Sequence, residues 1–431
     1  MTANSDGKSV SVLLDHANGT LAAKHDYRVG GEAESVIVAE MNGDPKPDLV
    51  VRQGRGFSVL FNRGDGRFVQ GQSTDAELSC EHCLASADLN GDHRADVVTI
   101  GDDGLVSVFV NRGDGTFMAG RHYVVAGPDV GAVVLADLSG DGRPDIATAT
   151  EHRVSVLLSK GDGSFGPLRN YKARVCACTG SLAAADLNRD KAIDLVSTEQ
   201  FEDEMDFASV LLNRGHGTFL RARGYAIGTN VGESAAVADL NGDGAPELIV
   251  QYESRVTVFI NRRNGTFERR RDYSTPWFFD LTVADVNGGS PDLVFASWDR
   301  GRVGVLLNRG HGKFGGLLQY RTLDGPTSVA VADLNRDRSG DVLTLSNATD
   351  GGGNRVSVLL NKPGLCNVQD AFRKTLPAAR ATLARGNCRL GRVTWDHSTV
   401  KRRLVMGQRP KFGAVLRRGS AVDVVLSLGQ R

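Results

Sequence analysis

No run of about 18 apolar residues occurs anywhere in the chain, so no membrane-crossing helix is encoded. Proline is scarce, with 12 residues against 52 glycines in 431, and aromatics make up 6%. That balance disfavours a proline-rich linker protein and suits a turn-dense β protein. Net charge is also lacking, since 51 Lys/Arg meet 51 Asp/Glu, so bulk charge selects no nucleic-acid partner. The opening Met1-Thr-Ala-Asn-Ser-Asp6 has neither a charged nor an apolar targeting segment. Four of the nine histidines, His16, His93, His216 and His311, fall in turn or loop slots. No nucleophile–base–acid set is legible among them, and the expectation is a protein that is not an enzyme.

What is present is a repeat. The pattern Asp88-Leu-Asn90-Gly-Asp92-His-Arg94-Ala-Asp96 returns at Asp137–Asp145, Asp186–Asp194, Asp239–Glu247 and Asp333–Asp341, and more loosely at Glu40–Asp48. A version one residue short stands at Asp285–Asp292. Successive copies start 46 to 53 residues apart, a regularity that chance does not give. Alternate oxygens in a tight loop are what a hard cation such as calcium takes, six to eight of them at about 2.3–2.6 Å. Positions 1, 3, 5 and 9 offer side chains, and position 7 a carbonyl. The candidate ligands are therefore Glu40, Asn42, Asp44 and Asp48; Asp88, Asn90, Asp92, Arg94 and Asp96; and Asp137, Ser139, Asp141, Arg143 and Asp145. They continue with Asp186, Asn188, Asp190, Ala192 and Asp194; Asp239, Asn241, Asp243, Ala245 and Glu247; and Asp333, Asn335, Asp337, Ser339 and Asp341. About five to six structural calcium ions are expected. The shortened copy lacks its central Asp and is expected to be empty or weak.

Four short strand-like segments fill each repeat. One ends at the loop (Ser328–Ala332), one follows it (Asp48–Val51), the third reads Val154-Ser-Val-Leu-Leu158, and the fourth runs from a Phe to a Tyr (Phe165–Tyr171). Branched and aromatic residues bounded by Gly, Asn and Asp suit strands and hairpins. Four strands per repeat read as a β-propeller blade. The expected fold is all-β, a seven-bladed β-propeller of four-stranded blades over residues 1–362, followed by a small α+β domain over 363–431. A third-strand copy at Val10–Leu14 leaves one strand more than seven blades need. Leu21–Tyr27 is expected to supply the missing fourth strand of the last blade and so close the ring.

The repeats resemble FG-GAP-type, or VCBS-like, repeats over about residues 10–362. The likeness rests on the A-D-L-N-G-D-G-x-P-D loop and the V-S-V-L-L-N-R-G-D-G-T-F hairpin. It implies a calcium-stabilised platform for adhesion or ligand binding, as in integrin α heads and exported bacterial proteins. The tail differs: Leu376–Gly386 has helical spacing, and Gly419-Ser-Ala-Val-Asp-Val-Val-Leu-Ser-Leu-Gly429 closes the chain. This order is similar to a PASTA domain, a module linked to bacterial cell walls, although its usual opening is replaced by Val368-Gln-Asp-Ala-Phe-Arg373. Residues 366–431 carry 14 Lys/Arg against 3 Asp/Glu, an excess of eleven positive charges, which leaves residues 1–365 with eleven negative ones. A basic tail suits an anionic polymer or a plain solvated face.

Six cysteines group as Cys80/Cys83, Cys176/Cys178 and Cys366/Cys388, which reads as local disulfide pairing in an oxidising compartment. Loops of this kind fill at extracellular calcium, on the order of 0.1–1 mM. Both features place the protein outside the cell or at the cell wall, and the chain, opening part-way through a repeat, is expected to follow an upstream export segment. Arg63-Gly-Asp65 and Arg112-Gly-Asp114 read as turn chemistry rather than recognition tripeptides. A candidate ligand patch gathers Trp277, Phe278, Phe279 and Trp298, aromatic faces near Asp280 and Asp299 that suit a sugar or peptide. The expected partner is a cell-wall polymer, glycan or protein, bound by a monomer. The alternatives are a polysaccharide-active enzyme using Glu199–Asp206 or the aromatic patch, and a purely structural surface protein.

Overall fold

The computed structural model describes residues 9–16, 20–28, 33–53, 56–64, 68–76, 83–101, 104–125, 130–150, 152–173, 181–199, 206–228, 231–252, 255–278, 280–286, 290–297, 302–321, 326–334, 341–346, 355–359, 366–367, 371–372, 374–385, 389–411, 415–416 and 421–428. The chain divides into two compact units, the first holding the repeated sheets and the second built around Asn361–Arg431.

Six four-stranded antiparallel sheets and one three-stranded sheet follow one another along the first unit, arranged as in a β-propeller. The third sheet shows the pattern with Val130–Ala136, Asp145–Thr150, Arg153–Leu157 and Arg169–Lys172, each strand paired with the next. Its second strand, Asp-Ile-Ala-Thr-Ala-Thr, is buried along its whole length, because both faces of the sheet are covered by neighbouring sheets. Its fourth strand alternates between half-buried and exposed residues. The innermost strands are Ala33–Ala39, Leu84–Ala87, Val130–Ala136, Leu182–Ala185, Val231–Ala238, Asp280–Ala284 and Pro326–Ala332. Each touches the next, and the last returns against the first.

Two devices join neighbouring sheets. The tyrosine of one fourth strand stands edge-on to the phenylalanine of the following sheet, with centroids 5.5 Å apart for Tyr123–Phe165, 5.1 Å for Tyr171–Phe219, 5.6 Å for Tyr225–Phe267 and 5.1 Å for Tyr273–Phe314. Here lies the physical meaning of the Phe-to-Tyr strands. The second device is an asparagine ending the third strand. Asn111, Asn213, Asn261 and Asn308 each donate Nδ2–H to the carbonyl at position 2 of the preceding sheet's loop, at Met41, Leu138, Leu187 and Leu240. Asn62 makes the same bond to Leu334, across 272 residues, joining the first sheet to the last.

The seventh sheet holds three strands, Pro326–Ala332, Asp341–Ser346 and Arg355–Leu359. Leu21–Tyr27 does not lie beside its third strand. Thr20–Arg28 instead pairs with Ser9–His16, and Ser9–His16 is the strand against Arg355–Leu359. The reason is local: a third-strand sequence and a fourth-strand sequence three residues apart pair first with each other, as a hairpin.

In the second unit a helix, Leu376–Arg385, buries Ala379 and Leu383 against Val405, Val422, Val424 and Leu426 of a three-stranded sheet. The sheet order is Arg389–Asp396, Ala421–Ser427, Val405–Arg409, with the first pair parallel.

Candidate metal-binding loops

Each loop joins the first and second strands of a sheet, and the first five are curled by their own carboxylates. In the second loop Asp88 Oδ1 accepts the N–H of Gly91 at 2.7 Å and of Asp92 at 3.2 Å, while Oδ2 accepts that of His93 at 2.8 Å. Asn90 Oδ1 then accepts from Asp92, and Asp92 Oδ1 from Arg94. Asp137, Asp186 and Asp239 repeat the first role, and Glu40 Oε1 gathers the N–H of Asn42 and Asp44. Position 6 lies in the left-handed region in the second to fifth loops: Gly142 and Gly244 hold it without strain, while His93 and Lys191 adopt it with a Cβ.

Position 9 has a different role. Asp96 is fully buried, with Oδ2 accepting from Leu89 N–H at 2.9 Å and Oδ1 from Asn111 N–H at 2.8 Å. One carboxylate thus ties the loop to the end of the third strand. Asp48 spans Met41 and Asn62, Asp194 spans Leu187 and Asn213, and Asp145 spans Leu138 and Ser159. Glu247 accepts from Leu240 N–H and Asn241 Nδ2–H, and Asp341 from Leu334 N–H. In the shortened loop Asp292 is equally buried and accepts from Asn308 N–H at 2.7 Å. The position-9 residues, expected as ligands, are first of all buried acceptors, and any metal contact would come in addition. Burial pushes Asp48, Asp96 and Asp194 up to about 6 and Glu247 up to about 7, against the pull of their backbone amides. Asp145 is raised by the same cause.

The donors are all oxygens, which fits a hard cation. As they stand, no three His, Cys, Asp or Glu side chains among the described residues are placed to hold an ion. In the first and fifth loops the position-5 carboxylate is occupied by a side-chain cation: Lys46 Nζ lies 2.5 Å from Asp44, and Arg263 Nε 3.0 Å from Asp243. Partial burial pushes Asp243 up, but the Arg263 hydrogen bond and charge hold it below the ordinary carboxylate range. Of the seventh loop, Asn335, Asp337 and Ser339 lie outside the described residues, and Asp333 and Asp341 inside them. Neither these cations nor the Asn tethers figured among the predicted site residues, although the fixed Asn of the hairpin motif was the available signal.

The aromatic patch is divided by the structure. Trp277 is 39% exposed and its carbonyl accepts from Ser297 Oγ. Phe278 is fully buried against Phe295, with centroids 4.6 Å apart, and is a core residue rather than a ligand contact. An apolar ring beside a half-open tryptophan gains more by filling the sheet interface than by facing water. Asp280 is likewise committed, accepting from Ser328 Oγ and Val329 N–H of the next sheet. Phe279, Trp298 and Asp299 lie outside the described residues, as do Cys80, Cys176, Cys178 and Cys388. Cys83 is buried and disulfide-bonded.

Comparison with known proteins gives one family. Residues 40–99, 88–148, 137–197, 186–250, 239–288 and 289–344 each match the FG-GAP-like repeat. Among solved structures, a lectin of Agrocybe aegerita that recognises non-reducing terminal N-acetylglucosamine is similar at a TM-score of 0.56 and 20% identity, over 81% of this chain and 93% of that one. BBS1N, solved in complex with ARL6DN, is similar at a TM-score of 0.52 and 11% identity, over 78% of this chain and 94% of that one. At these identities the likeness is one of fold.

Proposed function

Because the chain belongs to the family of FG-GAP-like repeat proteins, we propose that it is a non-catalytic ligand-binding platform, a seven-bladed propeller braced by calcium and working outside the cell at the bacterial wall. The observation that carries this reading is the run of six matched repeats, with an oxygen-lined loop tied to its own sheet in each of the first five. Seven blades are supported by the cyclic contact of the innermost strands and by the Asn62–Leu334 bond. Calcium would be held by the oxygens of positions 1, 3 and 5, where it would offset the mutual repulsion of the loop carboxylates. The loops themselves curl the backbone and hold the second strand in register.

A glycan ligand is supported by the shared fold with a lectin and by the exposed face of Trp277. The second unit is read as a PASTA-like tether to anionic wall polymer, supported by its single helix on a three-stranded sheet and by its eleven excess positive charges. The remaining cysteine pairs, Cys176/Cys178 and Cys366/Cys388, are read as disulfides. The full chain should be applied to a glycan array that includes terminal N-acetylglucosamine probes, in calcium and in EDTA, and sedimented with purified peptidoglycan. Calcium-dependent retention of one glycan class is the expected result. Turnover of a bound glycan would replace the platform with an enzyme, and no binding in either assay would remove the reading.

A further inference from the structure

The side-chain cations on the position-5 carboxylates occupy a common place. In the second and third loops the cation comes from position 7: Arg94 Nη1 is 3.8 Å from Asp92 and Arg143 Nη1 3.7 Å from Asp141. Each guanidinium lies over a hairpin glycine four residues beyond the end of the third strand. A Cβ on Gly113 would stand 2.4 Å from Arg94 Cζ, and one on Gly161 2.6 Å from Arg143 Cζ. Those hairpins have room for the guanidinium because they lack a side chain.

The fifth loop reverses the arrangement. Position 7 is Ala245, and the matching hairpin residue is Arg263, which adopts a φ of +66° and reaches the Asp243 carboxylate. A cation is therefore delivered to the same carboxylate from the opposite strand connection. In the first loop Lys46, again at position 7, serves Asp44. The fourth loop has neither source. Position 7 is Ala192, the hairpin residue is Gly215, and nothing lies within 4 Å of where a Cβ on Gly215 would stand. Asp190 Oδ2 accepts from Asn188 Nδ2–H, and no ion pair to Asp190 occurs among the described residues. Arg189, at position 4 of this loop, has its guanidinium 3.5–3.7 Å from the Cβ position of Gly244 in the next loop.

We propose that Lys46, Arg94, Arg143 and Arg263 are built-in counter-cations that calcium must displace, leaving Asp186, Asn188 and Asp190 as the first to bind calcium among the five loops described in full. The inference rests on the calcium reading of the loops and adds a ranking to it. A carboxylate already neutralised by a guanidinium gains less from an arriving ion, and the ion meets a positive charge at short range. The four protected loops keep their shape without metal, whereas the fourth depends on it.

The test is calcium titration calorimetry on the metal-free full chain, with thermal melting in EDTA and in calcium. Asp190→Asn should abolish the tightest calcium site, and Ala192→Arg should weaken it about tenfold while raising the melting temperature in EDTA. Arg143→Gln should tighten a weaker site by a few-fold and lower the melting temperature in EDTA only. Calcium binding whose tightest site survives Asp190→Asn, or is indifferent to Ala192→Arg and Arg143→Gln alike, overturns the ranking and leaves calcium binding in place. Absence of calcium binding by the unaltered chain and all three variants removes the calcium reading itself, and the ranking with it.

Discussion

Asp96 reaches two backbone amides from a fully buried position, and an amide side chain cannot do the same. In Asp96→Asn one oxygen is replaced by an NH₂ group, which faces the N–H of Leu89 or Asn111 as donor against donor. A buried donor left unpaired costs about 1–3 kcal/mol, so urea unfolding should show a loss of that order or slightly more. Asp88→Asn, on the partly exposed edge of the same loop, keeps Oδ1 as acceptor for the N–H groups of Gly91 and Asp92 and should cost less in EDTA. If the two substitutions prove equal in EDTA, position 9 is not the knot described. Lys191 gives the opposite case. It holds a φ of +73° with a Cβ present, a conformation costing about 1–2 kcal/mol. Lys191→Gly should recover part of that and raise the melting temperature, a gain trimmed by the greater freedom of glycine in the unfolded chain.

Among elements, the loops couple stability to pH. Asp48, Asp96 and Asp194 sit at about 6 and Glu247 at about 7 when folded, above ordinary carboxylate values of 3.8 and 4.5. The folded state therefore holds these protons more tightly than the unfolded one. The resulting stability is fully present below the unfolded values and is lost as pH rises through about 6 to 7. In EDTA the melting temperature should fall between about pH 4 and 7 and level off above, and calcium should flatten the fall by restoring a positive charge near the carboxylates. A melting temperature that rises across this window in EDTA would contradict the assignment. How far the sequence disclosed these elements follows from the same physics. The 29 strands up to Leu359 and the loop positions were legible, because strand period and turn chemistry are local. The burial of position 9 and of Phe278 was not, since it depends on a neighbouring sheet. Nor was the partner of Ser9–His16, because the sequence shows strand types but not which edge each one meets.

At the scale of the whole molecule, the ring has one seam unlike the rest. Asn213 joins its sheet to the preceding one through Leu138, 75 residues away, whereas Asn62 joins the first sheet to the last through Leu334, 272 residues away. The bonds are alike chemically, and each asparagine also donates to a carbonyl of its own sheet, Ile193 or Pro47. The chain closed by each differs, and closing the longer span carries an additional entropic cost of about 1 kcal/mol. The other junctions are also covalently continuous, so the seam is where the ring should open first. Asn213→Ala and Asn62→Ala should thus lower global stability by similar amounts, about 1–3 kcal/mol. Their effects on local opening should separate. Amide hydrogen exchange along Ala33–Ala39 and Pro326–Ala332 should quicken in Asn62→Ala under native conditions, while Asn213→Ala leaves those strands protected. Equal protection in both variants would mean that closure is held by the packing of the innermost strands rather than by the asparagine tether.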